Sequence, residues 1–137
     1  MNDKTKMLLI KIPYWLGIGA DALWAIALLF PSAFAILTGR SDFNPNIDTR
    51  MIMGIGGSLM LGWTFLLFWA VRDPIERRVV IFLTAFPVVF GMFLITFIQF
   101  YLGNTFIIWA MVKTIVLITS MLYSFFLANK LANNKSK

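Results

Sequence analysis

The chain has 137 residues, 60% of them hydrophobic and 13% charged, a balance outside the soluble range. It holds no cysteine and no histidine. That excludes disulfides, thiol redox chemistry, thiolate or imidazole metal sites, the usual haem ligands, and Cys-His or Ser-His-Asp catalysis.

Hydrophobic runs of about 18 or more residues mark membrane spans, because a bilayer core takes roughly 20 helical residues to cross. Hydrocarbon offers no water to backbone N–H and C=O groups, so each span is a helix or part of a closed barrel. The runs here lack strand-type alternation and are expected to be helices. The expected fold class is therefore all-α: an integral membrane four-helix bundle forming a single domain. Its spans are expected at about residues 12–31, 51–71, 79–101 and 105–128.

The first apolar run covers residues 12–37 and is interrupted by Asp21 and Pro31. Pro31 is expected to kink or end the helix near the far interface. Residues 38–50 are polar and carry the turn formers Gly39, Asn44, Pro45 and Asn46, and Asp48 or Thr49 can cap the next helix. In the second link, Asp73, Pro74 and Glu76 fit a helix start, with Asp73 as N-cap and proline in the first turn. The third helix then runs to Tyr101, with the kink-forming Pro87 inside it. Leu102, Gly103 and Asn104 predict a tight turn, the fourth span starts at about Thr105, and the polar tail after Ala128 is expected to fray.

Lysine and arginine set the orientation. Lys4, Lys6 and Lys11 precede span one; Arg72, Arg77 and Arg78 lie in the second link; Lys130, Lys135 and Lys137 close the chain. Only Arg40 and Arg50 stand on the opposite side. Both termini are expected to be cytoplasmic, in the plasma (inner) membrane. The net charge of +6 thus flanks spans, and the anionic headgroups of the lipid bilayer, not nucleic acid, are the partner expected of it; Arg72, Arg77 and Arg78 of the link could bind them, although topology alone accounts for these residues. A cleaved signal peptide ending near Ser32, Ala33, Phe34 and Ala35 is the rival reading. The length of the run and the acid in its middle argue against it.

Two charges are stranded inside spans. Asp21 lies ten residues beyond Lys11, roughly 15 Å deep, and Lys113 lies about 12 Å in from the opposite side. A charge at a helix centre costs about 2.5–3.5 kcal/mol even on the lenient insertion scale. Matched depth makes the two candidate partners in an intramembrane charge pair. The pair can be architectural, fixing helix order. It can equally be a working proton, cation or ligand site; or the lysine can snorkel outward while the aspartate faces a partner subunit.

Neighbouring residues extend this reading. Tyr14, Gly17, Asp21 and Ala25 recur at helical spacing on span one, and Trp109, Lys113, Leu117, Ser120 and Ser124 do so on span four. Span three offers Thr84, Pro87, Gly91 and Gln99 along a similar face. Tyr14, Thr84, Gln99, Ser120 and Ser124 are accordingly the candidate polar interior. Gly54, Ser58 and Gly62 on span two form a small-xxx-small series suited to close helix packing, with Gly56 and Gly57 beside it. Trp15, Trp63, Trp69, Trp109 and Tyr101 lie toward span ends and suit interfacial anchoring.

Four spans alone name no family. No cofactor and no metal ligand set is expected, and no catalytic constellation stands out. The expected role is a non-enzymatic accessory or assembly component of the membrane, working with a membrane-protein partner or as a homo-oligomer. The alternative is a small oligomeric transporter or channel with a midplane Asp21/Lys113 site. A membrane enzyme using only these two groups comes third.

Overall fold

The structure is a computed structural model and describes residues 2–103 and 108–135. It is all-helical, with no strand among the described residues. In chain order the elements are α1 (Asp3–Leu29), α2 (Pro31–Thr38), α3 (Ile47–Ala70), α4 (Arg78–Leu83), a kinked stretch (Thr84–Val89), α5 (Phe90–Tyr101) and α6 (Ile108–Lys135). Four helical segments are long and apolar enough to cross a membrane: Lys4–Leu29, Ile47–Ala70, Arg78–Tyr101 and Ile108–Asn133. Asn104 and Thr105, expected to turn the chain and open the fourth span, lie outside the described residues, as does Lys137.

Local chemistry sets the breaks. Phe30 precedes a proline, which disfavours α geometry, and it is extended at φ −121° and ψ 105°. Pro31 then occupies the first turn of α2, where its missing N–H costs nothing. Gly39, left-handed at φ 68°, closes α2; its N–H and that of Arg40 reach back to the carbonyls of Ile36 and Ala35. The third span is interrupted where expected. Phe86 is non-helical at φ −140° and ψ 109° ahead of a cis peptide to Pro87.

Two caps differ from expectation. Asn46, not Asp48 or Thr49, caps α3: its Oδ1 accepts the Thr49 N–H at 2.8 Å. An asparagine one position ahead of the helix places its side-chain oxygen against the first free N–H groups, which a residue already inside the helix cannot do. Asp73 does not cap α4. Its carbonyl accepts the Arg77 N–H in a turn, its carboxylate pairs with Arg77 at 3.5 Å, and the helix proper starts at Arg78.

The chain forms two compact units: Met1–Tyr14 with Ala70–Lys137, and Trp15–Trp69. In the first, α6 packs against α4, the kinked stretch and α5, and Phe82 meets Phe125 with ring centroids 5.1 Å apart. The start of α1 is tied in by hydrogen bonds from Ser124 Oγ to the Ile10 carbonyl and from Tyr14 Oη to the Arg77 carbonyl. Ile10, Tyr14, Ile81 and Met121 are its buried large side chains. In the second unit, the remainder of α1 and α3 form a helical hairpin. Trp15 meets Phe68 edge-on at 6.0 Å, and Phe34 of α2 lies between Trp24 and Phe43.

Candidate functional site

The polar side chains of the long helices are mostly spent on backbone. Thr84 is buried and its Oγ1 donates to the Val80 carbonyl one turn back, at 2.8 Å. Thr64, Thr114 and Thr119 bond the carbonyls of Met60, Ala110 and Ile115 in the same way. Ser120 Oγ donates to Leu117 O at 2.9 Å. Such local bonds let a hydroxyl sit in an apolar segment without a partner elsewhere. Tyr14 and Ser124 are fully buried and bond across elements, to Arg77 O at 3.4 Å and Ile10 O at 2.9 Å.

Of the expected polar interior, Tyr14, Thr84 and Ser124 are buried, Ser120 is half-buried, and Gln99 is exposed. Gln99 falls outside for a geometric reason. The break at Phe86 and Pro87 resets helical phase, so a spacing counted from Thr84 does not carry along α5.

Asp21 is half-buried on α1, one turn from the buried Gly17 and Ala25, as their spacing implies. Its Oδ2 is shut off from solvent and has no hydrogen-bond partner. Lys113 is exposed on α6, whose buried positions are Thr114, Met121, Ser124 and Ala128. It lies next to Thr114 in sequence and therefore a little over a quarter turn, about 100°, away from it. Asp21 belongs to the unit Trp15–Trp69 and Lys113 to the unit that includes Ala70–Lys137.

The close helix approach on α3 is made by Gly57. A Cβ there would sit 2.8 Å from Leu29 Cγ and 3.2 Å from the Ala25 carbonyl oxygen. Gly54 and Gly62 have nothing within 4 Å of a Cβ position, and Ser58 is exposed. The small-residue series expected to pack is thus open within the chain.

Sequence reasoning passed over a cavity of about 380 Å³ in the first unit. Lys11, Arg72 and Arg78 line it together with Glu76, and Met7 and Ile75 add apolar wall. Arg78 is held from two sides: its Nε donates to Asn129 Oδ1 and its Nη1 to the Ile75 carbonyl at 2.8 Å. The arginines of the link were visible as a topology signal, but Asn129, 51 residues away, carries no motif that points to them. No group of three or more His, Cys, Asp or Glu that could hold a metal ion occurs among the described residues.

Compared with protein-family models, with curated proteins and with solved structures, the chain matches none of them.

Proposed function

We propose that this chain is a small integral membrane protein, with both termini cytoplasmic, that serves as a non-enzymatic accessory or assembly component of the membrane. Four helices of spanning length and a surface rich in large apolar side chains support insertion. Leu8, Leu59, Phe65, Val116 and Phe126 are each more than half exposed, a pattern costly in water and ordinary in lipid. The excess of lysine and arginine at the ends and in the second link supports the orientation.

One observation carries the accessory role. The hydroxyls of Thr64, Thr84, Thr114, Thr119, Ser120 and Ser124 all donate to backbone carbonyls, so their donors serve helix structure and not a passing solute. A second reading, a small transporter or channel, is favoured by Asp21, whose buried Oδ2 lacks a partner. An unpartnered acid in a span is a candidate point for proton or cation passage.

Reconstitution separates the two. Purified protein in liposomes loaded with a pH indicator is expected to carry no proton or alkali-cation flux above empty liposomes. A flux in the wild type that Asp21→Asn abolishes would replace the accessory reading with transport.

A further inference from the structure

The cavity in the first unit has the chemistry of a phosphate site. Lys11, Arg72 and Arg78 gather there from three stretches: the start of α1, the second link and the head of α4. Its carboxylates are Asp73, already in an ion pair with Arg77, and Glu76. Arg78 is the built part. Asn129 and the Ile75 carbonyl hold its guanidinium from two sides, through Nε and one N–H of Nη1, which leaves three of its five donors, those of Nη2 among them, for an oxyanion. A solvated arginine must be ordered before it can bind; this one is ordered already, which lowers the entropic cost of capture.

Part of the lining is apolar. Met7, Pro74, Ile75 and Ala132 form it, and Pro74 is buried. A free inorganic anion gains nothing from such a wall, whereas the glycerol end of a phospholipid covers it. The volume lies at the low end of small-molecule sites, roughly 300–1,000 Å³, and so suits a headgroup and not a whole lipid.

We propose that this cavity binds the phosphate group of a glycerophospholipid headgroup, with Lys11, Arg72 and Arg78 on the phosphate and Met7, Ile75 and Ala132 against the glycerol. The lipid as source rests on the membrane reading above. The phosphate site itself does not.

Native mass spectrometry of the detergent-purified protein tests this. Phosphatidylglycerol is offered against diacylglycerol with the same acyl chains, and inorganic phosphate is titrated separately. The expected result is one retained phosphatidylglycerol, favoured by about a hundred-fold over diacylglycerol, at about ten-fold for each of two charge-assisted hydrogen bonds. Lys11→Gln and Arg78→Gln each weaken it by about ten-fold, and Glu76→Gln tightens it. The last variant guards against misfolding, since a damaged protein does not bind more tightly. Retention of inorganic phosphate with the same response to the variants would keep the site and make its source soluble. Equal retention of phosphatidylglycerol and diacylglycerol, unchanged by Lys11→Gln and Glu76→Gln, would overturn it. Vesicle flotation reads insertion separately, so a failure of the membrane reading is distinguishable from a failure of the site.

Discussion

Ser124 Oγ donates a 2.9 Å hydrogen bond to the carbonyl of Ile10, 114 residues earlier in the chain. The bond is buried and lies three residues before Pro13, which sits inside α1. Proline removes the N–H that would serve the carbonyl four residues back, that of Leu9, so the Ser124 bond falls on the carbonyl next to the freed one. In apolar surroundings a buried serine hydroxyl needs such an acceptor, and a carbonyl has lone pairs for two donors. Ser124→Ala should therefore destabilise the protein by about 1 kcal/mol, in line with interhelical hydrogen bonds in membranes. Ser120→Ala, which breaks only a bond within α6, should have a smaller effect. Unfolding titrations in mixed micelles would compare the two.

Of the α3 glycines, Gly57 lies closest to α1. Alanine there must displace Leu29 or the Ala25 carbonyl, and only the leucine side chain can give. Gly57→Ala should lose about 1–3 kcal/mol, the usual cost of overpacking. Gly62→Ala meets open space and should be neutral or gain about 0.5–1 kcal/mol from helix propensity. The same unfolding titrations read both, and a larger loss at Gly62 than at Gly57 would contradict the packing.

Asp21 carries a buried oxygen without a partner, so removing its charge should not harm the fold. Asp21→Asn is expected to be neutral or stabilising. A genuine buried pair behaves otherwise: losing one partner costs about 3–5 kcal/mol. Thermal unfolding of the wild type and Asp21→Asn decides between these.

Much of the architecture was legible because it rests on strong, local signals. A run of spanning length announces a helix whatever surrounds it, and Pro31, Gly39 and Pro87 mark breaks through their own backbone restrictions. Facing was harder. In a helix that is apolar all round, periodicity says which residues share a face but not which face meets a neighbour. That is why Gly57, and not the Gly54, Ser58 and Gly62 series beside it, turned out to touch α1. The same ambiguity hid the exposure of Lys113, one residue from the buried Thr114. The Arg78–Asn129 contact depends on tertiary packing between α4 and α6 and has no local trace.

Membrane topology is the central claim, and the absence of native cysteine makes it directly measurable. Single cysteines at Asn2, Ser41 and Glu76 would be probed in intact cells with a membrane-impermeant maleimide. The account predicts labelling of Ser41→Cys from outside, and labelling of Asn2→Cys and Glu76→Cys only after lysis. Labelling of Asn2→Cys and Glu76→Cys in intact cells with Ser41→Cys protected would reverse the orientation. Recovery of the protein in the soluble fraction would contradict the account altogether.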